Sequence, residues 1–371
     1  MTGRLRRLAA AAAFGALLGG AGCGGAVEPD DLKAIRLPPG FRISLYAEVQ
    51  GARSMALAPP LGALFVGSRG DEVHVVFDRD NDGAADAVRP VSRSLKVPNG
   101  IAWRDGWLYI AEQHRIIRYR PALAKLGPHS PEVIHDRLPD MSHHGWRYAA
   151  FGPDGRLYVT VGAPCNICDI GGLQGTILRL DADGGNPEVF ASGLRNSVGI
   201  DFHPQTGEAF FTDNGGDWLG DDLPPDELNH ATRPGLHYGF PHYAGGRAVS
   251  PDWKDRAPPP GAQFPVIEFD AHVAALGIHF YRGAMFPAEY RNDAFVAEHG
   301  SWNRTSPVGY RIMRVRFDGQ GKAVGKEVFA EGWLKDGSSW GRPVDIKELL
   351  DGSLLVSDDS GGAIYRITYE R

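Results

Sequence analysis

Cysteine is scarce in this chain, and the few cysteines present exclude most cysteine chemistry. There are 3 in 371 residues, and after Cys23 only Cys165 and Cys168 remain. Asp169 follows this pair where c-type haem attachment needs a histidine, and the sequence has no second pair to complete a zinc site and no βαβ pattern for a thioredoxin-like site. We therefore predict a short-loop disulfide between Cys165 and Cys168, which is typical of an exported protein.

The chain opens on an apolar run that is too short to cross a membrane. This run covers residues 8–18 and follows three arginines within the first seven residues, and it has only about half the length of a transmembrane helix. A basic flank, a short apolar core and a zone of small residues predict an export signal over residues 1–23. We therefore expect the protein in the periplasm or cell envelope.

The end of this signal leaves two outcomes open. Residues 21–23 resemble a bacterial lipobox, although Gly20 stands where leucine is usual, so Cys23 is either a lipidated N-terminus or is lost by ordinary cleavage nearby. Residues 24–36 are then expected to be a tether, and residues 37–371 one domain. Loss of the three arginines from a net charge of −6 leaves −9, so we expect membrane contact only through a lipid.

The sequence also lacks the motifs typical of nucleic-acid binding and of nicotinamide enzymes. No run of lysine and arginine occurs beyond the first residues, and phosphate backbones need a basic face, so no nucleic-acid partner is expected. No glycine-rich strand-to-helix motif occurs, which disfavours a nicotinamide enzyme. Glycine and proline, by contrast, are plentiful at 49 and 27 residues and are evenly spread, which indicates many short elements.

One pattern recurs six times along the chain: a turn dipeptide followed by an alternating apolar strand. Each copy is preceded by a short strand that ends in a turn, at residues 55–58, 100–103, 148–151, 198–202, 276–280 and 344–346. The first three spacings between these strands, 45, 48 and 50 residues, are near the period of a four-stranded propeller blade, and the last two, 78 and 68, carry insertions. We predict an all-β fold, a six-bladed β-propeller of four-stranded antiparallel blades, with a pair of β-sandwiches as the alternative.

Polar residues collect where the innermost strand of each blade is expected to begin. In a propeller these positions meet at one end of the central channel, where ligands bind. One charged or hydrogen-bonding group per blade, aimed at one axis, is hard to explain as packing, so we predict a site there. The positions are residues 99–100, 143–145, 195–197, 272–273 and 341–342.

Longer motifs surround these positions, at residues 142–147, 152–158, 161–166, 193–199, 212–229, 237–241 and 298–304. They occur in order along the chain, which makes the set more specific than any one of them. With these motifs the sequence resembles a known family, the pyrroloquinoline quinone (PQQ)-dependent soluble glucose and aldose sugar dehydrogenases. The resemblance covers residues 36–369 and is nearest to the L-sorbosone dehydrogenase branch.

The resemblance implies roles for individual residues. His143 falls on the catalytic base, which takes the proton of the anomeric hydroxyl while hydride passes to the quinone. Arg195 falls on the arginine that steadies charge on the quinone oxygen, and Asn196 on a cofactor-contacting asparagine. Arg342 matches one of the arginines that bind the cofactor's carboxylates.

The resemblance also implies calcium. Asn214, Gly215 and Gly216 fall on the loop whose backbone carbonyls hold the calcium ion that bridges protein and PQQ, and glycine allows the close approach. Glu227 and the carbonyl of Tyr238 match positions near the family's structural calcium. The activity implied is PQQ- and calcium-dependent oxidation of a sugar or sugar aldehyde, with an unidentified periplasmic electron acceptor.

Three positions depart from the glucose-type pattern. Ala163 stands where an aspartate orients the base, so Asp140 or Asp169 would have to substitute. The cofactor-binding lysine is replaced by the segment 298–300, with Arg304 further on as a candidate cation, and Trp340 replaces a second arginine. The candidates to pair with the three carboxylates of PQQ are therefore Arg195, Arg342 and Arg304.

A separate calcium signal lies in residues 78–86. Asp78, Asp80 and Asp82 alternate, Gly83 holds the sixth place and Asp86 the ninth, as in the first part of an EF-hand-type loop, but Arg89 stands where the closing glutamate would be. The alternative is a solvated turn.

Four tryptophans lie near the expected site: Trp146, Trp218, Trp302 and Trp340. Their planar faces suit a sugar or a tricyclic quinone, or they belong to the propeller core.

Two other functions remain open from the sequence. A calcium-dependent propeller lactonase or hydrolase would draw its ligands from Asn99, Glu112, Asn196 and Asp213. A non-catalytic propeller would bind carbohydrate or protein and would not depend on His143 or Arg195.

Overall fold

The protein is a six-bladed β-propeller, as predicted. The computed structural model describes residue 27 and residues 29–121 and 131–370. Residues 1–23, the expected export signal, lie outside the described residues. A single α-helix, α1 (Pro29–Ala34), precedes the first strand, β1 (Phe41–Glu48), and three short 3-10 turns follow later in this part of the chain: Pro59–Leu61, Pro251–Trp253 and Ala288–Tyr290.

The first three blades follow the regular repeat, and each is a four-stranded antiparallel meander. Blade 1 consists of β2 (Ala52–Ala58), β3 (Ala63–Ser68), β4 (Val73–Phe77) and β5 (Ala87–Ser92). Blade 2 consists of β6 (Gly100–Arg104), β7 (Trp107–Ala111), β8 (Ile116–Tyr119) and β9 (Glu132–His135). Blade 3 consists of β10 (Ala149–Phe151), β11 (Leu157–Val161), β12 (Thr176–Leu180) and β13 (Glu188–Ser192).

Blades 4 and 5 hold the two insertions that lengthen the repeat. Blade 4 has β14 (Gly199–Phe202), β15 (Ala209–Asp213) and β16 (Pro225–Ala231); an excursion of β17 (Leu236–His237), β18 (Tyr243–Gly245) and β19 (Ala248–Val249) precedes its fourth strand, β20 (Ile267–Ala271). Strand β17 pairs in parallel with β13 of blade 3. Blade 5 has β21 (Ala275–Phe280), β22 (Ala294–Glu298), β23 (Arg311–Phe317) and β24 (Ala323–Glu331), followed by the small hairpin of β25 (Leu334–Lys335) and β26 (Ser338–Ser339).

Blade 6 closes the ring with strands from both ends of the described chain. It consists of β27 (Pro343–Glu348), β28 (Leu354–Asp358) and β29 (Ala363–Tyr369), and β1 is its outermost strand, in a register that pairs Phe41 with Tyr369. The inner strands contact one another in a closed circle, in the order β2, β6, β10, β14, β21, β27 and back to β2. Pairing the two ends of the chain in one sheet leaves no seam between first and last blade.

Local sequence explains both the strands and the turns between them. Inner and second strands are short apolar runs, and tight turns join them. Asp105 and Gly106, between β6 and β7, have φ values of +50° and +83°, the left-handed pair that a two-residue hairpin turn requires and that aspartate and glycine tolerate best.

The hydrophobic core is divided among the interfaces between blades. Phe65 of blade 1 packs with Ile110 of blade 2, and equivalent clusters lie between each later pair of blades. The interface of blades 5 and 6 is the most aromatic: Phe41 makes edge-to-face contacts with Phe286 and Phe329 at centroid distances of 4.7 and 5.0 Å. These rigid interfaces fix the channel-facing ends of the inner strands.

The structure differs from the tether expected over residues 24–36. Residues 29–34 form α1, Ile35 is buried in the cluster between blades 5 and 6, and Arg36 exchanges backbone hydrogen bonds with Glu331. The apolar residues of this segment explain the difference, because burial against the propeller is more favourable than exposure. Within the described residues, no helix has the length and hydropathy needed to span a membrane.

Candidate active site

A cavity of about 420 Å³ lies at the end of the channel where the inner strands begin. Residues at or just before the start of five inner strands line it, together with residues that follow the second strands. Of the predicted site residues, it brings together His143, Arg195, Asn196, Asn214, Gly215 and Arg342. The propeller geometry is the reason, because every inner strand starts at the same end of the ring.

Two neighbouring histidines contribute to the cavity wall, and their environments differ. The ring of His144 places Nδ1 3.0 Å from the carbonyl oxygen of Ala163, and burial together with the charge of Arg195 lowers its pKa to about 2, so that the imidazole stays neutral. His143 is exposed to the cavity, and burial and the charge of Arg195 lower its pKa too, against the opposing charge of Asp217. A neutral, accessible imidazole can accept a proton.

Arg195 is buried, and its side chain is held along the whole guanidinium edge. Nε donates to the carbonyl oxygen of Asn166 at 2.8 Å, Nη2 to Asn166 Oδ1 at 2.8 Å and to Asp217 Oδ2 at 2.7 Å, and Nη1 to the Asn214 carbonyl at 3.2 Å. Asn166 lies in the loop closed by the disulfide between Cys165 and Cys168, which confirms the predicted pairing. The charge of Arg195 is therefore fixed in position at the cavity wall.

Asn196 and Asn214 form a pair of amides beside Arg195. Asn196 Nδ2 donates to Asn214 Oδ1 at 3.2 Å, and Asn214 Nδ2 donates to the carbonyl of Ala275 at 2.7 Å. Asn196 Oδ1 is buried with no hydrogen-bond partner. An orphaned acceptor in a cavity wall marks a place for a ligand that donates a hydrogen bond.

Three arginines gather on another part of the cavity wall, and only Arg342 among them is predicted from the sequence. Arg342 donates from Nε to the His299 carbonyl at 3.0 Å. Arg53 and Arg69 share Asp359 Oδ2 at 2.7 and 3.3 Å. With Arg195 the cavity has four guanidinium groups.

Two uncharged rings lie beside these arginines, those of His299 and Trp146. The pKa of His299 is lowered by burial to about 4, so the ring that contacts Asp359 Oδ1 at 2.8 Å is neutral. Trp146 lies under Arg53 and Arg69, whose Cζ atoms are 4.7 and 5.2 Å from its ring centroid. A positively charged wall with an aromatic face therefore lines this side.

Arg304 does not line the cavity. Its Nη1 donates to the Asp221 carbonyl at 2.5 Å and its Nη2 to Asp222 Oδ1 at 3.1 Å, which ties two surface loops together. Trp340 lies outside as well, where it stacks near Trp333 and donates from Nε1 to the Gly332 carbonyl at 2.8 Å. The structure therefore puts Arg53 and Arg69, rather than Arg304, beside Arg342.

Neither expected substitute for the missing base-orienting aspartate contacts His143. Asp140 accepts hydrogen bonds from Lys96 Nζ and Gln113 Nε2, both at 2.6 Å, and Asp169 pairs with Arg256 at 3.2 Å. The carboxylate that lines the cavity and acts on the pKa of His143 is Asp217.

The predicted metal residues Glu227 and Tyr238 meet Gly215 around a small internal void of about 10 Å³ beneath the cavity, with Asp213 on its wall. Burial raises the pKa of Glu227 to about 8, aided by the charge of Asp213. A Cβ at Gly215 would lie 2.7 Å from the Pro225 carbonyl oxygen, so only glycine fits there. Gly216 lies beside the void's wall and donates to the Ala244 carbonyl at 2.7 Å.

The aspartate loop of blade 1 lies away from the cavity. Ligand atoms of Asp78, Asp80 and Asp86 lie within 4.8 Å of one another, and Asp78 Oδ1 is buried without a partner. The predicted ligand Asp82 is not in this group, and its Oδ1 accepts from the Ala84 backbone at 2.8 Å.

The residues expected for a lactonase do not converge. Glu112 is buried against Arg115 and the Lys96 backbone, and Asn99 is bound to the Arg147 carbonyl and the Arg53 side chain. Of that set only Asn196 lines the main cavity, while Asp213 faces the small void.

Comparisons with known proteins identify the family of this chain. The family model for glucose / sorbosone dehydrogenase matches residues 110–366, more than half of the chain. The chain therefore belongs to the class of sugar-oxidising propeller oxidoreductases. Within that class it is a member of the glucose/sorbosone dehydrogenase family.

Three relatives illustrate the range of the match. An uncharacterised protein of Borreliella burgdorferi is 36% identical over 353 residues, covering 91% of each chain. The calcium structure of a Trichoderma reesei carbohydrate-active enzyme of family AA12 is 20% identical, with a TM-score of 0.78 over 91% of this chain and 97% of that one. The holo form of the PQQ domain of pyranose dehydrogenase from Coprinopsis cinerea is 18% identical, with a TM-score of 0.73 over 90% and 97%.

Proposed function

We propose that this protein is a PQQ- and calcium-dependent sugar dehydrogenase of the aldose or sorbosone type. The observation that carries the proposal is the meeting of His143, Arg195 and the orphaned Asn196 Oδ1 with three further arginines at one cavity. PQQ is a planar tricarboxylate, and guanidinium groups are the side chains best suited to carboxylates. The Coprinopsis cinerea relative is a PQQ domain in its holo form, which supports the same cofactor here.

The residues present fit the cofactor. Arg342 and Arg69 would pair with carboxylates, with the buried Arg53 behind them, and Arg195 and Asn196 would face the quinone. When bound, PQQ supplies the acceptor for the hydride that leaves the sugar. Trp146 offers a planar face beside this set.

The chain's own residues account for the proton and for the orientation of charge. The imidazole of His143, kept neutral by its lowered pKa, accepts the proton of the anomeric hydroxyl while C1 loses hydride, so the sugar becomes a lactone. The guanidinium of Arg195 is already fixed by Asn166 and Asp217, so it stabilises developing negative charge without reorganisation.

Besides the ion that the resemblance places between the glycine loop and the cofactor, we propose two calcium sites. One is the small void where Glu227 and Tyr238 meet Gly215, because a cation there would compensate the buried carboxylates of Glu227 and Asp213. The other is the loop of blade 1, where Asp78, Asp80 and Asp86 converge and the unpartnered Asp78 Oδ1 supports a ligand role. The Trichoderma reesei relative is a calcium structure, which supports a role for this ion in proteins of this fold.

We also propose export through residues 1–23, with lipidation or loss of Cys23, so that a periplasmic carrier would accept the electrons. The finer assignment to the sorbosone branch also stays a prediction. Fractionation of expressing cells and mass analysis of the mature N-terminus test the export proposal, and a cytosolic, uncleaved chain contradicts it.

The decisive experiment is a titration of the purified protein with PQQ in excess calcium, followed by a panel of aldoses and sorbosone. We expect saturable binding and sugar-dependent reduction of the quinone. His143→Ala should retain cofactor binding but lose about 100-fold or more of the rate, whereas the control His135→Ala, on the outer strand β9, should keep it. No PQQ binding at any calcium concentration would overturn the proposal.

A further inference from the structure

The four tryptophans near the site have three different roles. Trp340 is a structural residue that donates to the Gly332 carbonyl, and Trp146 lies inside the cavity beneath two arginines. Trp218 and Trp302 remain on the surface, with 71% and 62% of their areas exposed. Their rings meet edge to face, 5.0 Å between centroids and 87° between planes.

This indole pair lies at the mouth of the cavity. Trp302 lines the cavity itself. Trp218 directly follows Asp217, which also lines it and which binds Arg195 at 2.7 Å. Two large apolar side chains left in water at a cavity mouth, where they add little to the core, indicate a contact surface for a ligand.

The two loops that carry the indoles are bound to each other. Asn303 Nδ2 donates to Asp217 Oδ1 at 3.0 Å, so the residues adjacent to the two tryptophans are joined. Arg304 and the Thr305 backbone extend the link to Asp221, at 2.5 Å and 3.2 Å. The rim is therefore ordered before any ligand arrives, which lowers the entropic cost of binding.

A polar group beside the indoles identifies the chemistry of the ligand. Asn303 Oδ1 is buried, has no hydrogen-bond partner and belongs to a residue that lines the cavity. An aromatic face next to a directed acceptor matches a sugar ring, which offers C–H faces and hydroxyl donors together. A protein surface would need a much larger contact area than two side chains.

We propose that Trp218 and Trp302, with Asn303, form a subsite for a second sugar ring, so that the preferred substrate is an oligosaccharide whose reducing end enters the cavity. This inference rests on the proposed function for the reacting ring. The rim then determines how strongly sugars of different length bind, and it takes no part in the chemical step.

The test is calorimetric binding of D-glucose, maltose and cellobiose to the full chain without PQQ or a further electron acceptor, so that no turnover occurs, followed by rate measurements with both present. We expect at least one disaccharide to bind about tenfold more tightly than glucose, a difference that one stacked ring accounts for. Trp218→Ala should reduce this preference while affinity for glucose is kept, because Trp218 is not part of the cavity lining. Trp302→Ala should also reduce the preference, and the double variant should abolish it. Trp302→Phe should restore part of it.

The controls separate this inference from the function on which it rests. Trp107→Ala, at the start of β7 in blade 2 and outside the cavity lining, should keep the disaccharide preference. Thermal melts should show that the rim variants fold. Equal binding of glucose and both disaccharides, or a preference that survives in the double variant, overturns the subsite. Glucose oxidation without any preference overturns only the subsite, whereas tryptophan-dependent disaccharide binding without quinone reduction supports the subsite and overturns the proposed function. The subsite is also overturned if the rim variants lower only the rate of electron transfer to the acceptor, because the rim would then be a docking surface for that acceptor.

Discussion

Asn166 binds Arg195 twice, through its backbone carbonyl to Nε and through its side-chain oxygen to Nη2, each at 2.8 Å. The same side-chain oxygen accepts from the Asp217 backbone, and the side-chain nitrogen donates back to the Asp217 carbonyl at 3.0 Å. One asparagine thus sets the position of the fixed positive charge and of its counter-ion. Its place in a disulfide-closed loop gives that loop a role in the site.

Asn166→Ala is expected to lower kcat by about 10- to 100-fold. The variant removes a charge-assisted hydrogen bond worth about 1.5–3 kcal/mol and lets the guanidinium of Arg195 move. Steady-state kinetics with saturating cofactor measure the effect. Asn186→Ala, which removes an exposed asparagine bound to Asp181 at 2.7 Å, is the matched control and should retain the wild-type rate. An Asn166→Ala enzyme with unchanged kcat would contradict the positioning role.

Replacement of both Cys165 and Cys168 by serine should reduce activity more than stability. The loop between them is short, so in the chain-entropy view the bond contributes only about 2 kcal/mol, but the same loop carries Asn166. We expect a small fall in melting temperature and a fall in kcat that resembles that of Asn166→Ala. The variant that combines both changes should be no slower than the slower of the two, because they act on one interaction. Additive losses would show that the disulfide acts elsewhere.

The sequence predicts the strands better than the site, for physical reasons. All six inner strands begin within a few residues of the predicted positions, since alternation and turn residues fix them locally. Arg53 and Arg342 occupy equivalent places in the repeat, because each stands two residues before a predicted inner strand, at residues 55 and 344. That place in the repeat is enough to put Arg53 in the cavity.

Other parts of the site lie outside what local pattern can predict. Arg304 lies in a loop whose path depends on the hydrogen bonds that it makes to Asp221 and Asp222. The carboxylate of Asp217, whose charge acts on the pKa of His143, is held by Arg195 and Asn303. Such contacts join loops from different blades, and no periodicity in the chain encodes them.

The pH dependence of turnover should report the pKa of His143. A base must be unprotonated, and burial with the charge of Arg195 lowers this pKa, so activity should fall on the acid side with a midpoint below about 6.5, the ordinary value for histidine. The rate should therefore rise as the pH increases through the lowered pKa and then level off. Rate profiles of kcat/KM between about pH 4 and pH 8 measure it, and a midpoint above that ordinary value contradicts the assignment.

Removal of calcium should destabilise the protein through the void beneath the cavity. Glu227 and Asp213 are buried close together there, and a bound cation would compensate their charges, so a chelator should lower the melting temperature by several degrees. In Glu227→Gln the shift on chelation should shrink, because one charged ligand is already gone. Asp80→Asn, in the loop of blade 1, leaves this site intact and should keep most of the shift. An unchanged melting curve after chelation would remove calcium from the void.

Arg69→Gln is expected to weaken PQQ binding by about 10- to 100-fold while leaving the fold intact. Half of the Arg69 side chain is exposed, and its contact with Asp359 at 3.3 Å is shared with the buried Arg53, so its loss costs little stability but removes one cation from the cavity wall. Arg53 is the poorer target, since removal of its charge leaves the buried Asp359 with less compensation. Absorbance titration at two salt concentrations measures the affinity. The exposed Arg89→Gln is the control for net charge and should bind as the wild type does. If both variants bind PQQ equally well, Arg69 faces the substrate instead of the cofactor, and the loss should then appear as a raised KM for sugars that carry a carboxylate.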